Sequence, residues 1–228
     1  MRPGGNTKDE HPLLLNLGLD VGAALALIVA TAVLFVLVWL PETREDIQRW
    51  DDAFLRTIVS IRYAALTFAA HALNVLGSVW VTLPVRLAIS LYLAATRRWW
   101  HFAAFVAAMI VSEVLLDIFK NIYGRPRPVG SLVGTSGFSF PSGHAVAASV
   151  TAVALVIALF PPSGIRRWLW GAAAALFSFV MALSRAYLAA HWLSDAIAGT
   201  LLGTTIALGT ALLAQWIRER RALHAVAR

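Results

Sequence analysis

The chain has 228 residues, of which 59% are hydrophobic and 14% charged, with a net charge of +7 and no cysteine. Ordinary soluble domains carry about 25% charged residues, so this composition excludes a disordered chain or a coiled-coil rod and points to a polytopic membrane protein. Zero cysteine removes a disulfide framework and thiolate metal sites. The basic excess reads as loops that orient helices in a bilayer, not as a nucleic-acid surface.

A membrane-crossing helix needs about 20 mostly apolar residues. No charge falls between Asp20 and Glu42, which predicts a first span over 21–40. That run is too long for the core of a cleaved signal peptide, and no small-x-small cleavage site follows it, so it reads as a retained anchor. From Glu42 to about Leu73 the chain is mixed: Trp50, Phe54, Leu55 and Ile58 recur at helical spacing among charges. Two readings fit this pattern, an amphipathic helix on the membrane surface or a connecting helix packed on the bundle.

The second span, 73–95, contains Pro84 and Arg86 and is followed by Arg97-Arg98-Trp99-Trp100, a basic and aromatic interface signature. A third span is predicted over 101–119, a fourth over 145–160 ending at Pro161-Pro162, a fifth over 169–183, and a sixth over 192–217, stopped by Arg218, Arg220 and Arg221. The expected fold is therefore an all-α, six-transmembrane-helix bundle forming a single membrane-embedded domain over 1–228. Six spans put both termini on one side. That side holds ten Lys/Arg against eight opposite, or ten against five once Lys120, Arg127 and Arg185 are set apart. The positive-inside rule then places the termini in the cytoplasm.

Ionisable groups near membrane segments are costly and are functional candidates by default. Here they gather at helix ends: Lys120 and Arg127 after span three, Pro141-Ser142-Gly143-His144 before span four, Ser184-Arg185 after span five, and His191 and Asp195 at the start of span six. Alternating spans put all of these on the outward side. Three converging cations suit a multiply charged oxyanion, phosphate above all, because the Arg fork matches its oxygens and Lys adds a point charge. Ser142 and Gly143 stand where a helix N-terminus would offer free N–H groups to that anion. Two histidines can divide phosphoryl transfer into nucleophilic attack and protonation of the leaving oxygen. Asp195 lies four residues after His191, on the same helical face, where it can orient the ring. That pairing marks His191 as the nucleophile and leaves His144 as the general acid.

Three ordered motifs result: Lys-x6-Arg-Pro from Lys120 to Pro128, Pro-Ser-Gly-His from Pro141 to His144, and Ser-Arg-x5-His-x3-Asp from Ser184 to Asp195. On these the sequence resembles the type 2 phosphatidic acid phosphatase superfamily, whose three-part signature it matches without a substitution over 120–195. The resemblance implies a phosphohistidine on His191, partnered by Asp195, with His144 protonating the leaving group. Phosphate is then held by Lys120, Arg127, Ser142, Gly143 and Arg185. It implies no metal and no cofactor. The family contains membrane lipid phosphatases and soluble vanadium-dependent haloperoxidases, and the spans favour the former.

The expected protein is an inner-membrane lipid-phosphate phosphatase with its site on the outer face, drawing its substrate from the bilayer. Undecaprenyl pyrophosphate, phosphatidylglycerol phosphate, phosphatidate and lipid A phosphate all fit. A phosphotransferase with another acceptor, a non-catalytic phospholipid binder or transporter, and a vanadate-dependent oxidase are the alternatives. The binder has no use for the His191–Asp195 pair, and the spans disfavour the oxidase. Outside the signature, Glu113 and Asp117 share a face with Lys120. Either carboxylate could position Lys120, but a structural Arg86–Glu113 pair is the favoured reading. His71 and His101 read as packing or interfacial residues, and Trp99, Trp100, Trp168 and Trp170 as interface belts. Trp192 has two readings, a lipid-tail contact or packing.

Overall fold

The computed structural model describes residues 12–14 and 17–226. Three of the ten basic residues counted on the side of the termini, Arg2, Lys8 and Arg228, lie outside the described residues. Eight helices follow in order: α1 Leu17–Trp39, α2 Pro41–Ser60, α3 Ala64–Leu76, α4 Val79–Ala95, α5 Trp99–Tyr123, α6 Gly143–Leu159, α7 Ile165–Tyr187 and α8 Leu193–Val226.

Four of these, α1, α5, α7 and α8, are individually long and apolar enough to cross a membrane, and α3 with α4 makes a fifth span if the bent pair is counted as one. The expected second span falls on a helix pair that begins before residue 73: α3 and α4 meet at a 48° bend around Gly77-Ser78, the geometry of a broken span or a re-entrant loop. The apolar run before residue 73 was hidden by the charged α2 that precedes it. α6 is apolar but has 17 residues, a rise of about 26 Å against a hydrocarbon core of about 30 Å. Against the expected six spans, the described residues hold four helices long and apolar enough to cross, or five spans if α3 and α4 count as one, with α6 as a shorter apolar helix.

Two expected helix ends also move. Lys120 lies inside the last turn of α5, which runs on to Tyr123 and stops at Gly124, whose φ of 55° is the left-handed cap that side-chain-bearing residues rarely adopt. Arg218, Arg220 and Arg221 do not end the last helix, because α8 continues to Val226. Charged residues end a membrane span without ending a helix, since all three are good helix formers. Leu40 precedes α2, with Pro41 at its first turn, where a missing N–H costs nothing.

α8 is the central helix, packed against α6, α5, α1 and α7. Its approach to α6 depends on two small residues on one face. A Cβ at Gly199 would lie 2.6 Å from the Ser142 carbonyl, and one at Gly203 would lie 2.2 Å from Ser149 Oγ. Close backbone approach through small residues is how helices associate without a hydrophobic driving force in lipid. It fixes the start of α6, with its Pro-Ser-Gly-His, against the start of α8. At the same end Phe35 of α1 packs edge-on against Phe119, Tyr123 and Phe140, and Tyr123 donates to the Phe35 carbonyl at 2.7 Å.

Arg86 Nη1 meets Glu113 Oε1 at 2.7 Å, and Arg86 Nε donates to Thr151 at 2.9 Å. Glu113 is therefore engaged by Arg86, as the structural-pair reading expected. His101 is buried within α5, while Trp99, Trp168 and Trp170 are exposed on the bundle surface, where an interface belt belongs.

Candidate active site

The site forms where the ends of α5 and α7 meet the starts of α6 and α8, crossed by the 124–142 segment. That segment has no regular structure, so its carbonyls are free to accept from the site's donors. Lys120 Nζ donates to the Phe138 carbonyl at 3.1 Å. Arg127 spreads its guanidinium over the Ser136, Gly137 and Phe138 carbonyls at 2.9–3.1 Å and over the Ala190 carbonyl at 2.7 Å.

His191 lies in the short connection between α7 and α8 and is buried. Its Nδ1 is 2.7 Å from the Ser139 carbonyl. A carbonyl only accepts, so Nδ1 carries the hydrogen and Nε2 keeps its lone pair. Arg127 Nη1 donates to that Nε2 at 3.0 Å. Burial pulls the His191 pKa down from the ordinary 6.5 to about 4, with the Arg127 and Arg185 charges adding to the effect and Asp195 opposing it. The imidazole is thus neutral at physiological pH, the form able to attack phosphorus. With the substrate's own second phosphate ionisation near pH 6 corrected for, the His191 limb of kcat/KM is expected near pH 4. A limb that stays at 6.5 after that correction contradicts the burial argument.

The expected bond between Asp195 and His191 is replaced by a looser arrangement. Asp195 Oδ2 is 3.7 Å from Nδ1, and the Ser139 carbonyl takes the direct bond. A backbone acceptor outcompetes the side chain because Asp195 is already committed: Oδ2 accepts from the Ser139 hydroxyl and from the Trp192 N–H at 2.9 Å. Oδ1 accepts from Arg125 at 2.6 Å. Asp195 therefore lies close to His191 without accepting a direct hydrogen bond from it, and the two are linked through Ser139.

Arg185 closes α7 and is 2% exposed. Its Nη1 donates to Asn74 Oδ1 at 2.6 Å, and its backbone carbonyl accepts from the Ala190 and His191 N–H groups at 3.0 and 3.3 Å. Ser142 caps α6 with its backbone but not with its hydroxyl. Among the described residues, Ser142 Oγ and Arg185 Nε are buried polar atoms without a hydrogen-bond partner. Such atoms are rare because each costs a desolvation penalty of about 1–3 kcal/mol. Two of them among the residues gathered at these helix ends fit an oxyanion that would satisfy both. Gly143 starts α6 next to them, with a hypothetical Cβ only 3.3 Å from Leu116.

His144 Nε2 lies 3.2 Å from the Asn74 backbone carbonyl, and its ring packs on the α3–α4 break, where a Cβ at Gly77 would come within 2.7 Å of His144 Cδ2. Asn74 therefore touches both His144 and Arg185. All eight residues singled out from the sequence fall in this one network or directly beside it. Trp192 is held by its indole N–H, which donates to the Pro126 carbonyl at 2.9 Å, in line with the packing reading.

Sequence reasoning missed Arg125, Asp51, Ser194, Ser139 and Asn74. Arg125 stood in view two residues before Arg127 but read as a topology charge. Asp51 sat among the interleaved charges of the mixed segment from Glu42 to about Leu73, with no motif to single it out.

The fold and this arrangement define a class of protein. The sequence profile of the PAP2 superfamily matches residues 97–219, more than half of the chain, and the chain belongs to that superfamily. It is 32% identical over 108 residues to an undecaprenyl-diphosphatase of Sulfolobus acidocaldarius, a match covering 44% of this chain and 49% of that one. The chain thus aligns with about half the length of that relative. It is 28% identical over 163 residues to phosphatidylglycerophosphatase B of Bacillus subtilis, covering 69% of this chain and 79% of the relative.

Two crystal structures share the fold. One is a transmembrane PAP2 type phosphatidylglycerolphosphate phosphatase from Bacillus subtilis, with a TM-score of 0.72, 24% identity, and coverage of 86% of this chain and 96% of that one. The other is LpxE of Aquifex aeolicus, with a TM-score of 0.57, 23% identity, and coverage of 68% and 91%. The chain is a multi-pass, all-helical member of this superfamily.

Proposed function

We propose that the protein is a lipid-phosphate phosphatase that works through a phosphohistidine on His191. One observation carries the reading: a buried, neutral His191 with its hydrogen held on Nδ1 presents Nε2 to Arg127, in a site that also holds Lys120, Arg185 and the unpaired Ser142 Oγ. The names of the relatives, all of them phosphatases where an activity is stated, support the same class.

In this mechanism the substrate phosphate draws the guanidinium of Arg127 off Nε2 and onto its own oxygens, which frees the lone pair. Lys120 and Arg185 add charge, and Ser142 Oγ and the N–H groups at Gly143 complete the cradle at the start of α6. Nε2 attacks phosphorus, the bond from phosphorus to the leaving oxygen breaks, and His144, entering the step as the imidazolium, gives that oxygen its proton and becomes neutral. Asp195 stabilises the positive charge that develops on the His191 ring. In the second half His144 takes a proton from water, the resulting hydroxide oxygen bonds to phosphorus, the N–P bond breaks and inorganic phosphate leaves. Three fixed cations neutralise the transferring group, so the scheme assigns no step to a metal.

The bilayer supplies the substrate, with the head group at the site and the tail between helices. A six-crossing arrangement, counting α6 as a crossing and α2 as an interfacial helix, puts both termini in the cytoplasm of an inner membrane and the site on the outer face. Exposed Trp50 on α2 suits the interfacial placement. The test is phosphate release by purified protein in EDTA across undecaprenyl diphosphate, phosphatidylglycerol phosphate, phosphatidate and lipid A phosphate. Release from at least one is expected. A phosphorylated acceptor in place of free phosphate indicates a phosphotransferase, and binding without turnover overturns the enzymatic reading.

A further inference from the structure

Joined to the proposed site through Asp195 is a charged cluster whose other members, Arg125 and Asp51, the mechanism above leaves idle. Arg125 is 7% exposed, Asp51 3% and Asp195 0%. Arg125 divides its guanidinium between two carboxylates: Nη1 donates to Asp195 Oδ1 at 2.6 Å, and Nη2 to Asp51 Oδ2 at 2.8 Å. Nη1 also donates to Ser194 Oγ at 2.7 Å, and Nη2 to Gln48 Oε1 at 2.7 Å. Asp51 accepts from the Ser194 N–H at 2.9 Å and from the Ser194 hydroxyl at 2.5 Å. Trp192 covers the cluster, its ring 5.6 Å from the Arg125 guanidinium carbon.

The chain topology gives this cluster its interest. Asp51 belongs to α2, far from the signature in sequence. Ser194 lies in the first turn of α8, whose opening N–H groups have no partner within the helix. Asp51 supplies that partner from another helix and places its negative charge at the positive end of α8. One guanidinium thereby ties α2 to the turn that carries Asp195.

Dividing the guanidinium has a chemical consequence. An Arg facing a single carboxylate tends to engage both oxygens through its fork. A bidentate grip on Asp195 would turn Oδ2 away from His191 and break its bonds to Ser139 and the Trp192 N–H. Asp51 and Gln48 hold the other half of the fork, so Arg125 takes only Oδ1.

We propose that Arg125 and Asp51 are positioning residues for the His191–Asp195 pair: Asp51 restrains half of the Arg125 fork so that the other half fixes Asp195 with Oδ2 facing the nucleophile. This rests on the reading of His191 as nucleophile. Neither residue touches the phosphate, so the pair acts on phosphoryl transfer and not on phosphate affinity. It also makes α2 part of the catalytic apparatus and not only a connection.

The test compares Asp51→Asn, Arg125→Lys and His191→Ala with wild type, using the lipid phosphate turned over fastest and inorganic phosphate as a competitive inhibitor. Asp51→Asn is isosteric and keeps an acceptor for Ser194, so it preserves packing. It is expected to lower kcat by about 10–100-fold while KM and the inhibition constant for inorganic phosphate stay within about threefold. Arg125→Lys, with one nitrogen in place of two, is expected to fall at least as far, again with phosphate inhibition retained. Wild-type kcat in either variant overturns the proposal. So does a parallel loss of kcat, phosphate inhibition and thermal stability, which marks a purely structural role. If His191→Ala is inactive while Asp51→Asn is normal, only this proposal fails; if His191→Ala stays active, the nucleophile reading fails and this one with it.

Discussion

His191→Ala is expected to lower phosphate release by at least about 10⁴-fold, because removing a nucleophile removes the covalent route and not merely one contact. Folding should survive the change. The side chain makes one bond to the Ser139 carbonyl and one to Arg127. Its backbone N–H, which accounts for the turn after α7, is untouched. The orphaned Ser139 carbonyl costs about 1–3 kcal/mol. Inorganic phosphate should still bind, since Lys120, Arg127 and Arg185 remain and Arg127 loses a competing acceptor. The check is kcat with the inhibition constant for phosphate on monodisperse protein. Turnover near the wild-type level would remove the mechanism.

The second large effect is expected at Arg185. Its guanidinium is enclosed, with Nη1 on Asn74 and Nε unpaired. The phosphate is the partner this geometry lacks. Arg185→Lys preserves charge but loses the planar fork, and a lysine ammonium cannot satisfy Asn74 and the phosphate along the same two directions. A loss of about 10²–10³-fold in kcat/KM is expected, the scale of removing one donor aimed at transition-state charge. The backbone carbonyl of Arg185, which anchors Ala190 and His191, is the same in both proteins. The loss therefore reports on phosphate and not on the turn. Unchanged kcat/KM in Arg185→Lys would show that the guanidinium faces Asn74 alone.

The eight signature residues were legible because buried or membrane-edge ionisable groups are costly and have few reasons to recur at the same ends of helices. Alternating spans then sufficed to bring Lys120, Arg127, His144, Arg185, His191 and Asp195 together. The acceptor for His191 was not legible. It is the Ser139 backbone carbonyl, and a carbonyl leaves no mark in a sequence. Asp51 was hidden for a different reason: on an amphipathic helix a carboxylate is ordinarily solvated, and only the docking of α2 on Arg125 buries it. Asn74 was one of several polar residues in a mostly apolar stretch, and its significance depends on the α3–α4 break. That break was missed because an isolated Gly inside an apolar helical pattern is tolerated at a cost of about 1 kcal/mol and does not by itself mark a break. Helix ends shifted at Lys120 and Arg218 because charge marks the edge of the bilayer, while the helix ends where the backbone does, at Gly124 for α5.

The central claim is a covalent bond between phosphorus and His191 Nε2. It is tested most directly by mixing the protein with a lipid carrying a labelled terminal phosphate, quenching in alkaline denaturant within the first turnovers, and locating the label by peptide mass. The account predicts an alkali-stable, acid-labile phosphoramidate on the peptide containing His191, absent from His191→Ala. Phosphate released at the wild-type rate with no labelled protein at any quench time, or with the label on His144, would contradict it.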